Sequence, residues 1–253
     1  MIRVFLLMLT VLAAAPAAAE EVVAGLSQNR VSITANFDGS EILIFGAVKR
    51  ETPTPGDGSL EVIVTVEGPQ EPVTVRRKAK RYGIWVNVDG IEVDLAPSFY
   101  AISSTNPLDQ ILKDVEDLRY NISIPRAIRA VGVAQDVEDP ENFVNALIRI
   151  REDNGLYQVR PNTVSLNQDT LFNTSVALPS NLREGGYLVR FFLTRNGNVL
   201  DEYVTTIDVQ KVGLERFLYN LAHDRPLIYG LLSLAIAIAA GWGASAVFRY
   251  LRG

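Results

Sequence analysis

The residues of this chain able to do chemistry are few, and the sharpest group is basic. Arg76, Arg77, Lys78, Lys80 and Arg81 place five cations within six positions, a density that attracts anionic headgroups, an acidic partner or a small anion. Tyr82, Gly83, Ile84 and Trp85 follow at once. Aromatic side chains beside arginine are common at interface centres, so Arg76, Arg77, Lys78, Lys80, Arg81 and Trp85 form the candidate anion or partner contact. The plainer reading is a strand end kept soluble by charge, with Trp85, in an alternating strand, belonging to a core.

The other polar groups suggest less. The acidic run Asp136, Glu138, Asp139 and Glu141 offers the oxygens that calcium prefers, but without the spacing and central glycine of an EF-hand loop. Ahead of a helix it complements the positive end of the dipole. Asp114, Glu116 and Asp117 read as a solvated helix face. The one histidine, His223, lies three residues from a long apolar segment, and there is no cysteine. A Cys-His pair is therefore excluded, and a Ser-His-Asp triad would have to be built beside that segment. No phosphate loop or dinucleotide fingerprint is present. The expectation is a protein that is not an enzyme, with no catalytic residue, no cofactor and no metal ligand. A formal net charge of -5 argues against nucleic acid as a partner.

The elements that must position these residues are mostly strands. Val31, Ile33 and Ala35 alternate with polar residues, Glu41–Val48 is a dense apolar run suited to a buried strand, and Leu60–Val66 alternates strictly. Asp89-Gly90 and Asn196-Gly197 are two-residue hairpin signals, because Asp, Asn and Gly best tolerate the positive φ that type I′ turns need. Leu171–Leu178, Gly186–Leu193 and Val199–Val209 read as later strands. Tyr187 after Gly185 suggests the tyrosine corner of immunoglobulin-like folds. Between the β regions, Leu108, Ile111, Leu112 and Val115 carry helical spacing. Asp139-Pro140 starts a second helix, with Phe143, Ala146, Leu147 and Ile150 as its stripe and Asn154-Gly155 as its stop. The fold class expected is mainly β: immunoglobulin-like sandwich region(s) with a helical insert, plus one C-terminal transmembrane helix.

Both ends concern a membrane. Leu227–Phe248 carries no charge, and about 22 residues at 1.5 Å rise cover ~33 Å, enough for a hydrocarbon core of ~30 Å. Arg3, the apolar run Val4–Leu12, Pro16 and Ala17-Ala18-Ala19 read as a signal peptide cleaved before Glu20. The expected organisation is a signal peptide at 1–19, a β-sandwich region at 20–106, a helical insert at 107–154 and a β region at 155–211. An amphipathic juxtamembrane helix at 212–225, a span at 226–248 and a cytoplasmic tail at 249–253 follow. Such a chain sits in a bacterial inner membrane with its bulk in the periplasm. Within the span Ala237, Gly241 and Ser245 recur every four residues, a small face on which another helix can pack. The partners expected are the lipid bilayer and a membrane protein, or a second copy of this helix.

The ordered motifs Gly83-Ile84-Trp85-Val86-Asn87, Pro97-Ser98-Phe99-Tyr100-Ala101, Asn106-Pro107-Leu108, Gly155-Leu156-Tyr157, Gly186-Tyr187-Leu188-Val189 and Ala222-His223-Asp224-Arg225-Pro226 extend over the whole chain after Ala19. In these it resembles the alphaproteobacterial putative transmembrane protein family. The resemblance implies an exported, single-span protein with no assigned activity and no catalytic residue to carry over. It also points to sulfite-exporter-like permeases, encoded near some members, as a class of partner. The function expected is binding of a partner protein by a periplasmic β-rich domain; the alternative is capture of a small anion for such a transporter, and a third is an enzyme of unknown reaction.

Overall fold

A computed structural model describes residues 20–33, 38–50, 58–130 and 139–252. The signal-peptide expectation, Ala35, Asp136 and Glu138 fall outside the described residues. The chain is mainly strand, with short helices in the middle and one apolar helix at the end. It divides into two compact units, the first ending at Val209 and the second formed from Gln210 onward together with the stretch from Ser32.

In the first unit β1 (Glu21–Leu26), β3 (Ser40–Lys49), β9 (Ser165–Asn167) and β10 (Leu171–Leu178) make a four-stranded sheet ordered β1-β3-β10-β9. A six-stranded sheet is ordered β2-β12-β11-β4-β7-β8. Its strands are β2 (Arg30–Ile33), β4 (Leu60–Glu67), β7 (Tyr100–Ser104), β8 (Tyr157–Arg160), β11 (Gly185–Arg195) and β12 (Asn198–Lys211). A long two-stranded hairpin pairs β5 (Gln70–Arg81) with β6 (Ile84–Pro97). Among the described residues between β7 and β8 lie four helices: α1 (Leu108–Ile111), α2 (Asp114–Tyr120), α3 (Ile124–Ala127) and α4 (Pro140–Asp153).

These pieces form three layers. The inner face of the four-stranded sheet meets one face of the six-stranded sheet, where Phe172 and Phe191 stand 5.9 Å apart by ring centroid. Phe172 lies across Gly46, where an added Cβ would come within 2.3 Å of its ring. The other face of the six-stranded sheet, with Ile63, Ile102 and Phe192, packs on Ile111, Ile122, Phe143 and Leu147 of the helical region and on Val75, Ile91 and Val93 of the hairpin root. β4 is therefore covered on both sides. Val62, Ile63, Val64, Thr65 and Val66 are all buried, which corrects the one-sided alternation read from the sequence. β3 departs in the opposite sense: Ile42, Ile44 and Val48 face the core, but Leu43 and Phe45 face outward.

Local signals hold wherever no tertiary bond competes with them. Asn196 and Gly197 have φ of 52° and 78° and close the β11–β12 hairpin. Asp139 precedes Pro140 at the start of α4, though its side chain makes no capping hydrogen bond. Asn154 and Gly155 end α4, with Gly155 N–H donating to Glu152 O at 2.8 Å. The helix read through Leu108, Ile111, Leu112 and Val115 is broken instead. Lys113 N–H donates to Gly197 O at 2.9 Å, Leu112 is extended, and Val115 is left exposed. Asp117 is not a solvated residue. Its Oδ1 accepts from Ile122 N–H at 3.1 Å and Ser123 N–H at 2.7 Å, and its Oδ2 accepts from Ser123 Oγ at 2.6 Å, which fixes the chain after α2.

Among the described residues, two buried ionic clusters, at Glu20 and Arg190, and a third at Glu71 that is open to solvent at Arg183 add polar ties to this packing. Glu20, the residue after the expected cleavage point, bonds Arg50 at 3.0 Å and Arg195 at 2.9 Å, with the three side chains only 9%, 16% and 11% exposed. Glu71 bonds Arg151 and Arg183, each at 3.0 Å. Arg190 donates to Tyr120 O at 2.7 Å and Asn121 O at 3.1 Å, and faces Glu67 at 3.8 Å.

The second unit holds α5 (Leu214–Asp224) and α6 (Pro226–Arg252). Residues Pro226–Phe248 of α6 have mean hydropathy 1.9 and none of them is buried, and they have the length and composition of one membrane span.

Candidate functional site

Sequence and packing together make the β5–β6 hairpin an exposed arm with an anchored root. Val75, Ile91 and Val93 sit in the core, whereas Lys78, Lys80, Arg81, Tyr82, Gly83, Ile84, Trp85 and Asn87 are exposed. The turn is Tyr82-Gly83, with φ of 50° and 87°, the two positive φ values of a type I′ turn. Asp89-Gly90, read as the turn from sequence, instead lies inside β6. The ladder skips there from Arg77↔Asp89 to Lys78↔Asn87, so Val88 is the extra residue of a bulge that sharpens the twist.

All six sequence-selected contact residues meet on this arm. Lys80 is directly opposite Trp85, and Arg81 opposite Ile84. Trp85 is 69% exposed and Ile84 65%, which corrects the expectation that Trp85 belongs to a core: the hairpin carries it past the last layer that could cover it. Arg77 differs from its neighbours. Its Nε donates to Asp89 Oδ2 at 3.1 Å and its guanidinium lies 5.4 Å over the Phe143 ring, so it belongs to the stem. Arg76, Lys78, Lys80 and Arg81 make no ion pair among the described residues.

A second exposed surface is not apparent in the sequence, because Glu41–Val48 reads simply as a dense apolar run suited to a buried strand. On the outer side of the four-stranded sheet, register places Val23, Ala47 and Leu171 in one row, Gly25, Phe45 and Asn173 in the next, and Leu43 beside Ser175 in a third. Val23, Leu43, Phe45 and Leu171 are all exposed. The Phe45 ring leans on Gly25, where a Cβ would come to 3.0 Å. The signal that could have found this face is the Ile42-Leu43-Ile44-Phe45 run itself: both parities are apolar, and only one can point inward.

The titratable groups with resolved shifts are tyrosines. Burial pushes Tyr100 and Tyr187 up to about 12 and raises Tyr157 as well. Their hydroxyls donate to Ile122 O, Arg183 O and Pro97 O at 2.9, 2.9 and 2.8 Å. His223 Nδ1 donates to Tyr219 O at 2.9 Å, and its ring stacks on Tyr219 at 4.0 Å. Among the described residues no three His, Asp or Glu side chains gather as metal ligands. On α6, Ala237, Gly241 and Ser245 lie on exposed helix surface, and no atom comes within 4 Å of a Cβ added at Gly241.

A β-rich unit followed by an apolar helix of spanning length fits a membrane protein. The chain belongs to the putative transmembrane protein family Alph_Pro_TM, whose model matches residues 21–250. No curated protein and no solved structure matches it.

Proposed function

We propose that this is a non-enzymatic, single-pass inner-membrane protein, its bulk periplasmic and its C-terminus cytoplasmic, whose β-rich domain binds a partner protein. The observation that carries the reading is the outward face of the four-stranded sheet. Val23, Ala47, Phe45, Leu43 and Leu171 lie side by side there on three hydrogen-bonded strands, and a contiguous exposed apolar patch marks an interaction surface. A membrane permease is the class of partner to which the family resemblance points. The immunoglobulin-like reading of the two packed sheets is supported by Tyr187, buried and bonded to the backbone four residues upstream.

The test is a photo-cross-linking residue at Phe45 in native membranes. A single protein adduct is expected, and it should vanish when Leu43→Asp is added. An adduct pattern indifferent to Leu43→Asp refutes the reading.

A second reading, capture of a small anion for a sulfite-exporter-like transporter, is favoured by a cleft of about 510 Å³ rather than by the Arg76–Arg81 run. Arg126, Arg129 and Arg190 line it together with Gln70 and Glu67, a net positive lining. Calorimetric titration with sulfite, sulfate and phosphate separates the two: heat lost on Arg126→Ala/Arg129→Ala supports capture, and no heat with any of the three ends it.

A further inference from the structure

The tip of the β5–β6 hairpin combines two features that a soluble surface has no need to combine. Tyr82, Ile84 and Trp85 are large, apolar in body and among the most exposed large hydrophobic residues of the first unit. Lys80 and Arg81 stand on the same rungs as Trp85 and Ile84, Lys78 and Arg76 stand behind them, and none of the four has an ion-pair partner among the described residues. Asp89 is the only carboxylate between residues 76 and 91, and Arg77 occupies it.

We propose that this tip docks on an anionic lipid bilayer, with Tyr82, Ile84 and Trp85 at the boundary between headgroups and acyl chains and the four cations among the lipid phosphates. The inference goes beyond the partner reading, which rests on a different surface. Three observations favour lipid over an acidic protein. First, successive strand residues point to opposite faces, so Ile84 and Trp85 make the ribbon apolar on both sides at its end. Such an end suits a medium that surrounds it and not a surface that meets one side. Second, cations flank the apolar tip itself. Lys80 and Arg81 share the rungs of Trp85 and Ile84, all within two residues of the turn, about 7 Å at strand rise, comparable to a headgroup layer of ~5–8 Å. Their long stems let the charges reach phosphate while the aromatic rings go deeper. Third, among the described residues no side chain fixes the four cations in one geometry. A fluid field of phosphates can meet them all, whereas a folded acidic surface rewards cations that are held in place. The spanning helix of the same chain makes a bilayer its ordinary surroundings.

The experiment uses the full chain with Trp242→Phe, which leaves Trp85 as the only tryptophan. The protein is reconstituted in vesicles of phosphatidylcholine alone or with phosphatidylglycerol added, with and without brominated acyl chains. Expected is a blue shift and bromine quenching of Trp85 in the anionic vesicles, both much weaker in phosphatidylcholine alone. Each basic residue near an anionic surface changes partition about fivefold, so Lys78→Glu/Lys80→Glu/Arg81→Glu should lower it by about a hundredfold or more. The comparison between lipids needs no altered tip, so it stands even if that variant folds poorly. Trp85 emission indifferent to lipid charge and to bromine overturns the proposal. So does a photo-cross-link from position 85 that goes to protein and not to lipid in native membranes.

Discussion

Replacing Glu20 by Ala should cost the fold far more than its position near the start of the chain suggests. Its carboxylate is the shared counter-ion of Arg50 and Arg195, and the three side chains are 9%, 16% and 11% exposed. Removing one member of a buried ion pair leaves the others uncompensated and typically costs about 3–5 kcal/mol. The lower end applies here, because Arg50 keeps a hydrogen bond to Asp169 O and both guanidinium groups retain some solvent. A loss of about 3 kcal/mol, at roughly 2–4 °C per kcal/mol for a domain of this size, lowers Tm by about 6–12 °C. Circular dichroism melts of the full chain in detergent read this directly. Adding Arg195→Met should recover a large part of the loss, since the stranded charge is then gone. A shift of only a degree or two in the single variant would place the cluster with surface ion pairs, worth about 0–1 kcal/mol, and the reasoning from burial would fail.

Alkali should loosen the same domain through its buried tyrosines. Tyr100 and Tyr187 hold their protons up to about pH 12 in the folded chain against 10.0 when unfolded, so their stabilisation is full below pH 10 and lost as pH rises through 12. Absorbance at 295 nm should therefore rise in two stages, the later one coinciding with loss of far-UV ellipticity; ionisation of every tyrosine near pH 10 with the fold intact would contradict this. In the span, Gly241→Ile should keep insertion but fill the small-residue face of Ala237, Gly241 and Ser245, and weaken association measured in membranes. Unchanged association means that the helix only tethers.

The sequence was readable where a structure is decided within a few residues. Asn196-Gly197 fixes its own turn through backbone φ, Pro140 and Gly155 bracket α4, and the uncharged run after Pro226 needs nothing beyond its length. It misled where two local answers competed and a distant contact chose. Asp89-Gly90 is the better turn pair by composition, but Val75, Ile91 and Val93 must all enter one core. That requirement pairs Val75 with Ile91 and moves the turn to Tyr82-Gly83. Trp85 is then carried outward with the rest of the tip. Asp117 was opaque for a related reason: the amides it accepts from, at Ile122 and Ser123, come together only because the chain doubles back after α2. The candidate contact on the hairpin was thus found by composition, though its exposure was not. The sheet face was hidden because a strand apolar at every position does not say which side is covered.

The parallel pairing of β7 with β8, Tyr100↔Tyr157 through Ser103↔Arg160, changes what the helical region between them is. Two neighbouring strands can run the same way only if the chain returns from the end of one to the start of the other, which takes a dozen or more residues and usually a helix. Helices α1 to α4 are that return path, and their side chains also cover one face of the sheet. The region is therefore not a module that a shorter relative could omit. A chain trimmed to a tight turn there would have to reverse β8 or abandon it, and would strip the cover from Ile63, Ile102 and Phe192. Variation in length within this family should accordingly collect in the links between these helices, and the count of chain crossings should stay the same.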